Sequence, residues 1–175
     1  KAWSTADSAE FPATLDRGPY LCDFFQVLRR LGAMHPDKPW LGRYARPVED
    51  RVRLAQEPTL KFAPSTLSGF VPGKEGRPDR LESYFFGVFG PNGPLPTHLT
   101  EYALQRKFNE EDPTFAHFAD LFHHRMLSFL YRAWADARPT IQFDRPESDR
   151  FSMYVGALFG IDMRNSNKRS KSGNR

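Results

Sequence analysis

The chain has 175 residues, 39% of them hydrophobic and 16 of them phenylalanine, and this length is enough for one domain with a core. Its single cysteine, Cys22, excludes an internal disulfide, no apolar run approaches the roughly 18 residues of a membrane-spanning helix, and no secretory signal is visible, so we expect a cytoplasmic protein. The net charge of +4 is confined to residues 162–175, and the neutral remainder lacks the basic excess that binding to nucleic acid requires.

The first elements in chain order are an arm and an amphipathic helix. Residues 1–17 are polar and irregular, which predicts a flexible N-terminal arm. Pro19 suits the first position of a helix, where its missing N–H costs nothing, and Gly32 is a plausible end. Between them the apolar residues follow the helical period: Leu21, Phe24, Phe25, Leu28 and Leu31.

A proline-rich loop is predicted over residues 35–49, and the strands of a small sheet are expected after it. Alternating apolar and polar residues predict short strands at about 52–54, 60–62 and 68–71, and a nearly continuous apolar run predicts the longest strand over 81–89. Such a run is typical of a strand buried on both faces or of an edge that awaits a partner. We expect a mostly antiparallel sheet over about residues 50–90.

A rigid loop and two helices follow the sheet. Residues 90–96 are rich in proline and glycine and cannot extend a strand. Thr97 is a suitable N-cap for a helix that ends near Asn109, and Asp112 followed by Pro113 predicts a second helix start.

The helix predicted over residues 114–137 has the strongest pattern in the chain, and a last helix is expected over about 147–158. The apolar residues of the long helix keep the helical period for five turns, so we expect them to face the core first of all, with an interface as the alternative role. They are Phe115, Phe118, Ala119, Phe122, Met126, Phe129, Leu130 and Ala133.

Histidines offer the only candidate catalytic or metal chemistry, in a metal-dependent or hydrolytic enzyme built on His98, His117 and His124. Helical zinc ligands usually lie four residues apart, whereas His117 and His124 are seven apart and no HExxH motif is present. A solvated surface on which Asp120 bonds His124 is the simpler interpretation, and no phosphate loop or nucleophile motif is found. We therefore predict no enzyme, no cofactor and no metal site.

The C-terminal segment, residues 162–175, is basic and contains the apolar-free stretch RNSNKRSKSGNR. This composition predicts a disordered tail. A nucleic-acid-binding adaptor that acts through this tail is the second alternative function.

Several strings in this order resemble the TssG family, also called ImpH or VasB, of the bacterial type VI secretion baseplate. They are DFFQVLRRL from Asp23, LKFAPS from Leu60, FFGVFGPNGPLPTHLTEY from Phe85, FADLFHHRMLSFLYRAW from Phe118 and RFSMYVGALFGI from Arg150. Family members are about twice as long, so the resemblance implies that the chain is an N-terminal half in which the family pattern stops at Ile161 and an unrelated tail follows.

The resemblance also implies a function. Such proteins are structural subunits of the cytoplasmic baseplate wedge, which they build with TssF, TssK and TssE around a spike hub, and no catalysis is attributed to them. The baseplate docks on the inner-membrane complex and supports assembly of the contractile sheath and tail tube. No nucleic acid and no membrane span are implied.

Together these observations predict an α+β domain over residues 18–161, with a small sheet flanked by amphipathic helices. Contacts with other subunits are expected from the long helix and the loop at 90–96. The predicted interface residues are Phe85, Phe86, Pro91, Leu95, Pro96, His98, Phe115, Phe118, Phe122, Met126, Phe129 and Leu130.

Overall fold

The fold was obtained as a computed structural model, which describes residues 11, 14–35, 38–44, 46, 49–73, 76–144 and 149–160. Most of the predicted arm and the whole predicted basic tail lie outside these residues. The chain divides into two compact units, Lys1–Ala133 and Trp134–Arg175. The predicted α+β class is confirmed, because the described residues form several helices and one small sheet.

Helix α1 spans Phe24–Ala33 and begins later than the sequence predicted. Pro19 instead opens a short 3-10 turn, and the carboxylate of Asp23 caps α1 by accepting the backbone N–H groups of Phe25 and Gln26, each at 3.1 Å. Two residues of the predicted flexible arm, Phe11 and Leu15, are buried and so contribute to the core.

Three strands form the sheet, in the order β1–β3–β2: β1 spans Val52–Gln56, β2 spans Leu67–Val71 and β3 spans Asp79–Ser83. The expected sheet was mostly antiparallel, but this one is mixed, since β1 pairs with β3 in parallel and β2 pairs with β3 antiparallel. Strand β1 therefore lies at one edge, where its outer backbone groups need partners other than a strand.

Two of the predicted strands are wrong. Residues 60–62 form no strand, and Phe62 is 95% exposed. The predicted strand at 81–89 ends at Ser83, after which the backbone bends repeatedly through residues 84–88. Phe86 takes a positive φ of 56°, a conformation that aromatic residues rarely adopt.

Helices α2, Thr97–Asn109, and α3, Thr114–Asp136, agree closely with the predicted bounds. The N-cap of α2 is Pro96 rather than Thr97, whereas the carboxylate of Asp112 accepts the N–H of Thr114 at the start of α3, as expected of a cap. A small apolar cluster joins these helices to the loop after β3: Phe89, Ala103, Ala116 and Ala119.

The second unit contains helix α4, Pro139–Gln142, and helix α5, Arg150–Leu158. The side chain of Gln142 links them, because its oxygen accepts the N–H of Phe151 at 3.2 Å. Asp149 caps α5 by accepting the N–H of Ser152.

Candidate assembly interface and the polar network beneath it

Helix α3 buries an aspartate and two histidines and exposes three of its four phenylalanines. The buried face contains two histidines and an aspartate among small and apolar residues: Ala116, Ala119, Asp120, His123, His124, Leu127, Ser128 and Tyr131. Part of the expected core stripe is exposed instead, since Phe118, Phe122 and Phe129 are 58%, 56% and 45% exposed, whereas Ala119 is buried. The prediction that these three residues are core is therefore wrong, and the explanation lies in the sheet edge beneath the helix.

Side chains of α3 complete the hydrogen bonding of the edge strand β1. The N–H of Leu54 donates to Nδ1 of His124 at 3.2 Å, and the N–H of Gln56 donates to Oδ1 of Asp120 at 3.1 Å. Two residues of a strand advance about 6.6 Å and four residues of a helix about 6 Å, so the two repeats stay in register. The polar face of α3 thereby takes the place of a fourth strand.

These contacts also define the proton position on each buried histidine. His124 uses Nδ1 as an acceptor, so its proton is on Nε2, which lies 2.9 Å from Oδ2 of Asp50. His123 accepts the N–H of Val88 on Nε2 at 3.0 Å, and its Nδ1 donates to Oδ1 of Asp120 at 3.0 Å. Both imidazoles are therefore neutral structural links between α3, β1 and the loop after β3.

Gln56 connects β1 to the same loop through its side-chain amide. Its Nε2 donates to the carbonyl of Phe89 and its Oε1 accepts the N–H of Phe89, both at 3.0 Å, so the amide behaves as a short piece of β-ladder. Gly87 is needed for this approach, because a Cβ there would lie 2.1 Å from Oε1 of Gln56. The N–H of Gly90 donates to the buried hydroxyl of Thr100, which fixes the next turn of the loop.

Two ion pairs of Arg80 join the charged groups of the network. Arg80 on β3 contacts Asp120 at 2.6 Å and Glu82 at 2.9 Å. Burial opposes the negative charge of Asp120, but the hydrogen bond from His123, the Arg80 guanidinium and the Gln56 N–H outweigh it and lower the pKa of this carboxyl. Burial likewise opposes the charge of Glu82, yet the nearby Lys107 and Arg80 lower its pKa.

Lys107 on α2 extends the network to Glu57, whose carboxylate it contacts. Burial is the largest influence on Glu57 and raises its pKa despite the lysine. Glu82 is paired with both Arg80 and Lys107, whereas Glu57 is paired with Lys107 and also lies near the negative charge of Glu82.

The outer face of α3, defined here as Phe118, Leu121, Phe122, Arg125 and Phe129, is apolar and exposed. Leu121 is 69% exposed, more than any of the three phenylalanines. The rings of Phe118 and Phe122 meet edge to face with centroids 5.7 Å apart, and the guanidinium of Arg125 lies 4.2 Å from the ring centroid of Phe129. The exposed rings of this face therefore contact one another or a neighbouring guanidinium.

Comparison with known proteins assigns the chain to a family. The family model described as Type VI secretion, TssG, matches residues 18–175. The chain belongs to the TssG family. Its members are components of the type VI secretion baseplate. No curated protein and no solved structure matches.

The range of the TssG match corrects one expectation. It continues to Arg175 and so includes residues 162–175, which the sequence analysis placed beyond the family pattern. Family membership therefore extends to the basic segment.

The predicted interface residues of this TssG chain fall into two groups. Five are partly buried, and of these Phe85 packs against Phe24 while Leu95 and Phe115 pack on the apolar cluster: Phe85, Leu95, Phe115, Met126 and Leu130. The others are exposed and occur on the outer face of α3, on the loop before α2 or, for His98, in the first turn of α2: Phe86, Pro91, Pro96, His98, Phe118, Phe122 and Phe129.

The histidines considered as a metal or hydrolytic site have separate environments in the TssG chain. His98 and His117 are exposed, whereas both ring nitrogens of the buried His124 are used by Leu54 and Asp50. The expected surface bond between Asp120 and His124 is wrong, since Asp120 contacts His123. Among the described residues, no three His, Cys, Asp or Glu side chains are grouped so that they could hold a metal ion.

Sequence reasoning missed the buried network of this TssG chain. The available signal was the helical spacing of Ala116, Ala119, Leu127 and Tyr131, which marks a second stripe on α3 that includes the histidines. None of the helices within the described ranges is long and apolar enough to cross a membrane.

Proposed function

We propose that this chain is a structural subunit of the baseplate wedge and that the outer face of α3 packs against another wedge subunit. Its partners would include TssF, TssK and TssE, with the spike hub at the centre, and the assembled baseplate would bring it to the inner membrane. The role is to hold the wedge together while the contractile sheath and tail tube assemble. Membership in a baseplate family and the exposed phenylalanines support this role.

The exposed outer face carries the proposal. Contiguous apolar surface is uncommon on monomers and is typical of interfaces, whose centres are enriched in aromatic residues and arginine. The outer face has three phenylalanines, one leucine and one arginine within 12 residues. The polar network on the opposite side anchors α3 to the sheet edge, so a partner would meet a fixed helix.

The energies indicate an interface larger than this face alone. Removing the exposed halves of its four apolar side chains from water would contribute roughly 3–6 kcal/mol, because full burial contributes about 1.5–3 kcal/mol for each. Association costs about 4–15 kcal/mol in lost rigid-body freedom. We therefore expect the outer face to be the centre of an interface that includes further contacts.

Co-expression with TssF and TssK followed by pull-down and size exclusion tests the proposal. We expect a stable complex with the unmodified chain and at least a tenfold loss of captured partner with Phe122→Glu, because a buried carboxylate would lie among apolar groups. The fold should be retained, since the Phe122 side chain is more than half exposed.

Phe108→Glu is the matched control, because Phe108 is 63% exposed on α2 and outside the outer face of α3. This variant should capture its partners as well as the unmodified chain does. A folded chain that captures neither subunit would contradict the wedge role, and equal losses in the two variants would contradict the location on α3.

A further inference from the structure

A groove of about 430 Å³ lies between the segment at 59–63 and the loop at 84–94. Gln56 and Met126 contribute to its lining from β1 and α3. The groove is distinct from the outer face of α3, because none of that face's residues lines it. Its volume is within the range of about 300–1,000 Å³ that is typical of ligand sites.

The lining is aromatic and carries one kind of charge. Among the described residues that line the groove, Lys61 is the only charged one and none carries a carboxylate. Among the described residues the Lys61 ammonium has no ion-pair partner. A ligand with a carboxylate would therefore be favoured over a neutral or cationic one.

Two phenylalanines at the groove are exposed, and one of them has a rare backbone conformation. Phe62 is 95% exposed, and Phe86 is 49% exposed with its backbone at a φ of 56°. Rare backbone conformations persist where surrounding contacts hold them and often occur at binding sites. Both rings are available to enclose an apolar side chain of a ligand.

The wall of the groove is already fixed in the unbound chain. Phe89 is held by the Gln56 amide, Val88 by His123 and Gly90 by Thr100. The prolines at 91 and 94 further restrict this loop. Binding would therefore require little ordering of the protein, which favours affinity.

We propose that this groove binds an extended segment of another protein, in which a large apolar side chain lies beside an acidic one. The apolar side chain inserts between Phe62 and Phe86, and the acidic side chain pairs with Lys61. Asn92, exposed in the same lining, offers an amide donor and acceptor to the backbone of the segment. This proposal does not depend on the wedge role, since its observations concern the groove alone.

Selection from a phage-displayed library of random 12-residue peptides on the full 175-residue chain tests the proposal. We expect enriched peptides in which Asp or Glu occurs within two positions of Phe, Trp, Tyr or Leu. A synthetic peptide of the enriched sequence should bind at least tenfold more weakly to Lys61→Glu and to Phe62→Ala. Repeating the selection on Lys61→Glu should enrich basic peptides instead.

Matched controls distinguish binding at the groove from nonspecific binding to other exposed residues. Arg77→Glu makes the same charge change at an exposed site outside the groove, and Phe108→Ala removes an exposed ring elsewhere. Both should bind the peptide as the unmodified chain does, as should Phe122→Glu. Unchanged thermal unfolding of Lys61→Glu and Phe62→Ala would show that the loss is local.

Three outcomes would overturn the proposal. They are a selection that enriches no peptide, enriched peptides without acidic residues, and binding that survives both groove variants. A peptide that is lost with Phe122→Glu but not with Lys61→Glu would assign the site to α3 instead.

Discussion

The side-chain amide of Gln56 and the backbone of Phe89 exchange two hydrogen bonds, each 3.0 Å long. Gln56 is 4% exposed and Phe89 is 2% exposed, so water cannot replace either bond. The pair fastens the loop after β3 to the edge strand β1. This loop also forms the wall of the groove. Loss of the pair should therefore change both the free energy of unfolding and the protection of the loop amides from hydrogen exchange.

Gln56→Leu should lower the free energy of unfolding by about 2–4 kcal/mol, because two buried backbone groups of Phe89 would lose their partners. Urea denaturation measures this loss, and hydrogen exchange should show reduced protection of the Phe89 amide. An unchanged exchange rate at Phe89 would contradict the role given to the glutamine.

Gly87→Ala should destabilise the fold by about 2–4 kcal/mol. The new methyl group would overpack the site and displace the Gln56 amide from Phe89, and these two costs would sum. A Cβ at Gly87 would lie 2.1 Å from Oε1 and 2.4 Å from Cδ of Gln56. Gly69→Ala is the control, because a Cβ there would meet only Glu82 Oε2, at 3.6 Å. Urea denaturation of both variants should show a clearly larger loss for Gly87→Ala, and similar losses would contradict this packing.

Phe122→Ala and Leu127→Ala test which face of α3 is buried. Leu127 is fully buried and should lose about 2–5 kcal/mol of unfolding free energy. Phe122 is 56% exposed and should lose less than about 1 kcal/mol in the isolated chain. Thermal or urea unfolding distinguishes the two, and a larger loss for Phe122→Ala would reverse the assignment of the faces.

Asp120→Asn should make the free energy of unfolding less dependent on pH in the acidic range. The pKa of Asp120 in the folded chain lies below its ordinary value of 3.8, so its carboxylate stabilises the fold fully above that value. This contribution is lost as the pH falls through the folded-state pKa, below about 4. Urea denaturation between pH 7 and pH 2 should show a shallower decline for Asp120→Asn, from a lower stability at pH 7.

Glu101→Gln provides the control for that acid titration, since Glu101 is exposed on α2 and forms no ion pair with Arg80 or Lys107. It should follow the pH dependence of the unmodified chain. Glu82 also has a lowered pKa, so part of the acid sensitivity should remain in Asp120→Asn.

Thr114→Val should raise the pKa of Asp112 from about 2 towards 3.8. The hydroxyl of Thr114 is the largest influence on this carboxylate, followed by the Thr114 backbone N–H and then Arg106. Valine has a similar shape but donates no hydrogen bond. An NMR titration of the Asp112 side chain measures the change, and a pKa that stays near 2 would assign the shift to the Thr114 backbone N–H and Arg106 instead.

The helix bounds were largely predictable from local chemistry. Proline before α3, the Asp112 cap and a sustained helical period placed α3 over 114–137, and it spans Thr114–Asp136. Caps and periodicity act within a few residues, so they can be recognised without knowledge of the fold.

The candidate interface was predictable only in part. The strings that resemble TssG, and the phenylalanines of α3, could be identified from sequence, and three of those phenylalanines are exposed. The supporting network was not predictable, because His124 and Asp120 contact strand residues more than 60 positions earlier in the chain.

The sequence by itself determined the family, the α+β class and the positions of the main helices, because these depend on motifs and local periodicity. Only the tertiary structure decided which face of α3 is buried. No neighbouring strand accepts the N–H groups of Leu54 and Gln56 at the edge of β1, so they require side-chain acceptors. An unsatisfied buried donor would cost about 1–3 kcal/mol. Histidine and aspartate satisfy them and phenylalanine cannot, so the polar face lies inward and the aromatic face remains exposed.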